Sequence, residues 1–168
     1  ALNPAQIEIV SIVQQNSKEL QRLIENLLDY NQLLHRDEVT PREVDLAPLV
    51  ADVLDAHRLS FKRHGLAPVL RDEQAQWVLD AGKLRAALDN LVSNAVNYAS
   101  QDSEVLIHWR VHRNALDVDV ANQGPVIPEE EAERIFEPFF QGSASCRGAI
   151  KGSGIGLSVS RECIESQG

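Results

Sequence analysis

Asp80 to Ser100, DAGKLRAALDNLVSNAVNYAS, is the stretch whose reading decides the fold. At helical period, Leu84, Leu88, Leu91, Val92 and Ala95 form one apolar stripe suited to face a core. Asn90, Asn94 and Asn97 lie four and three residues apart and share a second stripe beside the first. Asparagine is a middling helix former whose amide competes with the backbone for hydrogen bonds, so three on one stripe need a reason. One reason is chemical: a carboxamide oxygen is a neutral hard ligand for magnesium, which usually keeps several waters and binds substrate phosphates. The other is a polar helix flank. From this helix alone the two readings stand level. Asp80, just before it, is the predicted N-cap.

Upstream, Leu46 to His64 reads as an amphipathic helix with Leu49, Val50, Val53, Leu54 and Phe61 on its buried side, ended by Gly65 in a left-handed cap. Short strands are expected near Ala67–Leu70 and Gln76–Leu79. Residues 38–45, around Pro41, read as a linker. Before it, residues 1–37 hold one long helix that starts after Asn3-Pro4. Ile9, Val13, Leu20, Leu23, Leu27, Tyr30 and Leu34 fall on its heptad seam, interrupted by Asn16 and widened by Val10 and Ile24. Nothing else in the chain is a second long amphipathic helix to cover that seam. Its partner is expected from another chain, as a homodimer through this helix, or from sequence beyond these residues.

Downstream, Val105, Ile107, Trp109 and Val111 alternate with polar neighbours as a half-buried strand. After a turn at Arg113-Asn114, the next strand sets Leu116, Val118, Val120 and Asn122 on one face. Asn122 is thus predicted on the apolar face at the strand end, where a polar side chain entering a core needs a partner. Pro128 and the three glutamates after it start a short helix, and Phe136, Phe139 and Phe140 surround Glu137-Pro138. Residues 141–151 are small and polar, as in a loop. They lead into Gly152-Ser153-Gly154-Ile155-Gly156-Leu157 and a final helix to about Ser166. Glycines opening a helix let backbone amides approach an anion, and the helix dipole favours negative charge there. The run follows no strand and lacks the Gly-Lys-Ser/Thr of a P-loop.

Composition narrows the partners. Sixteen Lys and Arg against 25 Asp and Glu give a net charge of −9 with no basic cluster, which argues against a nucleic-acid partner. Cys146 and Cys163 match no metal or redox spacing. No run is long and apolar enough to span a membrane, so a membrane is met only through other parts of a parent protein.

Four segments occur together in a specific order: LDNLVSNAVNY, NQGPVIP, IFEPFFQG and GSGIGL. In combination they resemble the asparagine, first glycine, phenylalanine and second glycine boxes of sensor histidine kinases. That catalytic domain belongs to the superfamily shared with gyrase B, Hsp90 and MutL. The resemblance covers essentially residues 42–168, and ELQRLIENLLDYNQL is similar to the second helix of the family's dimerisation and phosphotransfer domain. It implies an α+β fold, a two-layer α/β sandwich of the Bergerat type preceded by one helix of a dimerisation bundle, with residues 46–168 as the ATP-binding domain. The chain stops at Gly168, before the family's closing strands, and the phosphoacceptor histidine is expected upstream of residue 1. None of His35, His57, His64, His108 or His112 has that box's context. The expectation is a cytoplasmic fragment of an inner-membrane sensor.

The resemblance also implies roles. Asn94 matches the magnesium (Mg2+) ligand, and Asn90 takes the position of the catalytic glutamate in the related ATPases. An amide there suits a kinase, which should not activate water. Tyr98 reaches phosphate from the same helix. Asn122 matches the adenine-recognising aspartate, and Gly124 allows the backbone close to the base. Arg147 and Lys151 are the lid's phosphate contacts, with Gly152, Gly154 and Gly156 as hinge and phosphate cradle. Three positions depart from the pattern. Asn122 for aspartate replaces a charge-assisted bond of ~1.5–3 kcal/mol by a neutral one of ~0.5–1.5. That weakens nucleotide binding by roughly a factor of ten at most. Val126 stands for a second glycine and Asn97 for a lysine.

The function implied is an ATP-dependent protein histidine kinase module that passes phosphate to a histidine outside this chain and then to an aspartate of a response regulator. Two alternatives are a degenerate dimerisation module, marked by no Mg-ATP binding at millimolar concentration, and a water-using ATPase, marked by phosphate release without an acceptor.

Overall fold

The computed structural model describes residues 39–71, 75–143 and 153–167, with Asn3, Gln6, 8–14, 16–17, 20–21, Ile24 and Leu28 of the N-terminal segment. It divides into two units, Ala1–Arg36 and Asp37–Gly168. In the first, the described residues from Gln6 to Leu28 are helical. Ile9, Val13 and Leu20 of the predicted seam are exposed, as are Val10 and Ile24. Leu23, Leu27, Tyr30, Leu34 and His35 lie outside the described residues. No helix among the described residues is long and apolar enough to cross a membrane.

The second unit is α+β, with helices packed on sheet. β1 (Arg42–Asp45) pairs antiparallel with β3 (Gln76–Leu79), Val44 opposite Trp77. The expected linker thus contains a strand. Its four residues, REVD, carry one apolar side chain, Val44, which turns inward and is buried, so no alternation marks it in the sequence.

The helix expected over Leu46–His64 is two helices, α1 (Leu46–Ala56) and α2 (Arg58–Arg63). Asp45 caps α1 by accepting from the Ala47 N–H. The break falls at His57, whose ψ of 2° leaves the helical region, while its Nε2 lies 3.2 Å from Asp89. Val50, Val53 and Phe61 are buried as predicted, and Gly65 follows at φ +66°.

β2 (Ala67–Arg71) runs parallel to β4 (Glu104–Val111), which is antiparallel to β5 (Leu116–Asn122), giving the order β2-β4-β5. Val105, Ile107 and Trp109 on β4 have no exposed surface, and each side chain of that size contributes about 1.5–3 kcal/mol of burial. Val111, on the same face, is exposed because the strand outruns the core.

α3 (Ala81–Tyr98) buries Leu84, Leu88, Val92 and Ala95 against this face, with Ala87 and Val96 widening the stripe. α4 (Gly156–Glu165) packs along α3, where the Ser160 hydroxyl donates to the Ala87 carbonyl at 3.2 Å. The buried Lys83 ammonium donates to Ser166 at 2.9 Å. Two single 3-10 turns, Glu129–Glu131 and Arg134–Phe136, stand where a short helix was expected after Pro128.

Asp80 ties these pieces together. One carboxylate oxygen accepts from the Gly82 and Lys83 N–H groups and so caps α3. The other accepts from the Thr40 N–H and hydroxyl, at 3.0 and 3.1 Å. Its own N–H donates to the Gln167 side chain at 2.7 Å. Partial burial pushes the carboxyl up, but the donors on Thr40, Lys83 and Gly82 outweigh it and hold the group below its ordinary 3.8. A carboxylate depressed in the folded state stabilises above its unfolded pKa, and that contribution fades as pH falls through the folded value. Asp80→Ala should therefore cost about 1 kcal/mol in urea unfolding at pH 7, with the penalty shrinking as pH is lowered below the ordinary carboxylate value.

Candidate functional site

The second stripe of α3 meets the glycine-rich start of α4. Asn90 is half-buried, and its Nδ2 donates to the Ala86 carbonyl one turn back, at 3.1 Å. That bond turns Oδ1 toward α4, where a methyl group on Gly156 would stand 3.0 Å from it. Helix α4 can begin here because Gly156 carries no side chain. Asn94, one turn further along α3, is half-buried, and among the described residues its amide has no hydrogen-bond partner. Asn97 is exposed and Tyr98 half-buried.

The C-terminal end of α3 meets the end of β5. The Ser100 N–H donates to the Gln123 carbonyl at 2.6 Å. A Cβ at Gly124 would collide with the Tyr98 carbonyl oxygen and come within 2.9 Å of Asn122 Nδ2. Only glycine lets the loop backbone lie this close to the helix. Asn122 lies on the apolar face as predicted, opposite Val105, but is exposed rather than entering the core. It pairs with Val105 at the very end of the ladder, where the sheet stops covering it, so it needs no buried partner.

Tyr98, Asn122 and Gly124 are thus brought together at one end of α3, and Asn90 and Gly156 further up. Arg147, Lys151 and Gly152 lie outside the described residues.

The aromatic box fixes the chain on both sides of that segment. The Phe139 N–H donates to the Gly154 carbonyl at 2.8 Å, and Phe139 itself sits at φ +66°. Gly154, at φ +71°, has no room for a side chain: a Cβ would lie 2.7 to 2.9 Å from Phe139 and Phe140 backbone atoms. On the other side Glu131 accepts from the Ser143 N–H, at 3.0 Å to its nearer oxygen. Arg134 lies 4.4 Å over Phe140, and Arg161 the same distance over Phe136 while reaching Glu133 at 3.2 Å. The sequence pattern marks Glu131 only as negative charge at a helix start, and it gives no sign of the backbone role of Phe139. A residue forced to positive φ by a neighbouring glycine leaves no mark in its own side chain.

The chemistry of the donors fits a magnesium-bound phosphate better than a metal cage. Among the described residues no three or more His, Cys, Asp or Glu are grouped to hold an ion. The half-buried Asn94 amide, without a hydrogen-bond partner among the described residues, is the kind of neutral oxygen ligand that suits a cation taking most of its ligands from phosphate and water. Cys163 is buried, and that burial pushes its thiol up, partly offset by Lys83.

Comparison with known proteins speaks to the family and the fold. Residues 79–168 match the model of the histidine kinase-, DNA gyrase B- and HSP90-like ATPase family. The chain is 42% identical over 163 residues to the sensor histidine kinase GlrK of Escherichia coli K12, covering 97% of this chain and 34% of that protein. It therefore spans about a third of the length of that curated relative. Full-length ShkA, solved in complex with AMPPNP, superposes with a TM-score of 0.75 at 22% identity, covering 99% of this chain and 35% of that one. The histidine kinase ThkA, solved in complex with the response regulator TrrA, gives 0.67 at 24%, covering 91% and 46%. These two likenesses establish the fold alone. The chain belongs to the histidine kinase-, DNA gyrase B- and HSP90-like ATPase family, and within it stands with the sensor histidine kinases.

Proposed function

We propose that this chain is the ATP-binding module of an autophosphorylating protein histidine kinase in a two-component sensor. The observation that carries the reading is the approach of the Asn90 amide on α3 to the glycine-opened start of α4. Asn94 holds the magnesium through its amide oxygen, and the metal when bound supplies charge neutralisation on the phosphates. Asn90 orients rather than ionises. An amide takes no proton from water, so the site lacks at that position the general base a hydrolase needs. Backbone N–H groups at the start of α4 and the Tyr98 side chain add donors for phosphate. Arg147 and Lys151 serve the same anion from the segment between Ser143 and Ser153, with Gly152 and Gly154 at its hinge. Asn122 and Gly124 meet the base. What the residues contribute is position and charge, with no covalent chemistry by the protein.

The acceptor is a histidine supplied from outside residues 1–168, with a response-regulator aspartate next in line. ThkA, a histidine kinase solved together with its response regulator, supports that order of partners. The exposed apolar seam of the N-terminal helix suits pairing with a second copy in the bundle that presents the histidine.

The test adds Mg-ATP and a separately made helix carrying the acceptor histidine, and measures acid-labile phosphate on that helix. Asn94→Ala should lower the labelling rate by about 100-fold, the order expected when one positioned polar group at a transferring phosphoryl is lost. No label from the unsubstituted chain would overturn the reading. Gly124→Ala, judged folded by circular dichroism, should weaken Mg-ATP binding by about tenfold in a titration, because the added methyl drives the base-side loop off the Tyr98 carbonyl.

A further inference from the structure

We infer that the base pocket is tolerant at position 6 of the purine, accepting a 6-oxo base nearly as well as adenine, and that Asn122 is the residue that makes it so. The inference rests on the reading above, in which Asn122 and Gly124 meet the base. Asn122 ends β5, is exposed, and lies against Gly124, the point where the loop backbone closes on α3.

A carboxamide presents a donor and an acceptor side by side. Toward adenine, Oδ1 accepts from the 6-amino group while Nδ2 donates to N1. Rotated by half a turn about its terminal bond, the same amide donates to a 6-oxo group and accepts from the N1 hydrogen. A carboxylate has no such second state: it only accepts, and it meets the carbonyl oxygen of a 6-oxo base as an unpaired negative charge.

The surroundings add no discrimination of their own. From Asn122 to Pro128 the sequence reads NQGPVIP, with two amides and no carboxylate. Val126 and Ile127 are exposed apolar side chains, Val126 at 87%. The nearest acid on the strand, Asp119, sits on the opposite face and is held by Arg110 at 3.3 Å. Nothing here fixes which way the Asn122 amide must point. Selectivity for one base requires a group that leaves the wrong one unpaired, and this loop lacks it.

The probes are ATP and inosine triphosphate, which differ at position 6 and in the N1 hydrogen that follows from it. With magnesium present, the unsubstituted chain should bind the two with dissociation constants within about fivefold of each other. Asn122→Asp should tighten ATP and weaken inosine triphosphate, so that their ratio widens by about tenfold or more. A strong preference for ATP in the unsubstituted chain, unchanged in Asn122→Asp, would overturn the inference while leaving the nucleotide site intact. Failure of both triphosphates to bind would overturn the nucleotide reading itself, and this inference with it. Asn122→Ala, which removes both hydrogen bonds, should weaken both nucleotides alike; loss of ATP binding alone would also count against a two-way amide.

Discussion

The contact between α3 and α4 is the constraint on which the rest depends. Helix α3 has to face the sheet with one stripe and a second helix with another, and the second must come very close. Glycine at position 156 permits that approach, and Ser160 and Lys83 hold it along the next two turns through hydrogen bonds, beside the buried Ile155, Val159 and Cys163. Buried polar groups of this kind are costly when unpaired, so they specify one alignment of the two helices more sharply than a greasy seam does. The asparagines owe their placement to that alignment. Sliding α4 by one residue would set a side chain against Asn90.

Much of this was legible in the sequence where a pattern repeats. The apolar stripe of α3, the alternation in β4 and the cap at Asp80 follow from periods and residue types and appear as read, save that Leu91 is only half-buried and Val111 is exposed. Strand β1 was not legible, because a single inward valine makes no alternation. The break at His57 was hidden for a different reason. Leu46 to His64 keeps a helical rhythm across it, and only the tie to Asp89 on another helix shows why the chain turns there. Asn122 illustrates the reverse error: its parity was right, but parity says nothing of where a sheet ceases to be covered. Of the candidate site, residue types in order only nominated positions, while the contacts of Gly124 with the Tyr98 carbonyl and of Gly154 with Phe139 required three dimensions.

Among the described residues, the groups that α3 and the start of α4 bring together, Asn90 and Gly156, are neutral. Such amides and backbone donors gain nothing from proton transfer and hold no fixed charge of their own, in a chain that is acidic overall. In the proposed reading, a polyanion would meet α3 and the start of α4 as an array of dipoles, which supply stabilisation without a change of protonation state. This is the electrostatic character suited to moving a phosphoryl group whose charge is spread over several oxygens.

The Asp80 carboxylate joins Thr40 to the first turn of α3 through four donors. A displacement of Thr40 would therefore bear directly on the first turn of the asparagine helix. The amide of Asn90 sits ten residues along that rod and rises or sinks with it. A shift of the cap would carry the Asn90 amide with it, because the helix is unbroken between the two.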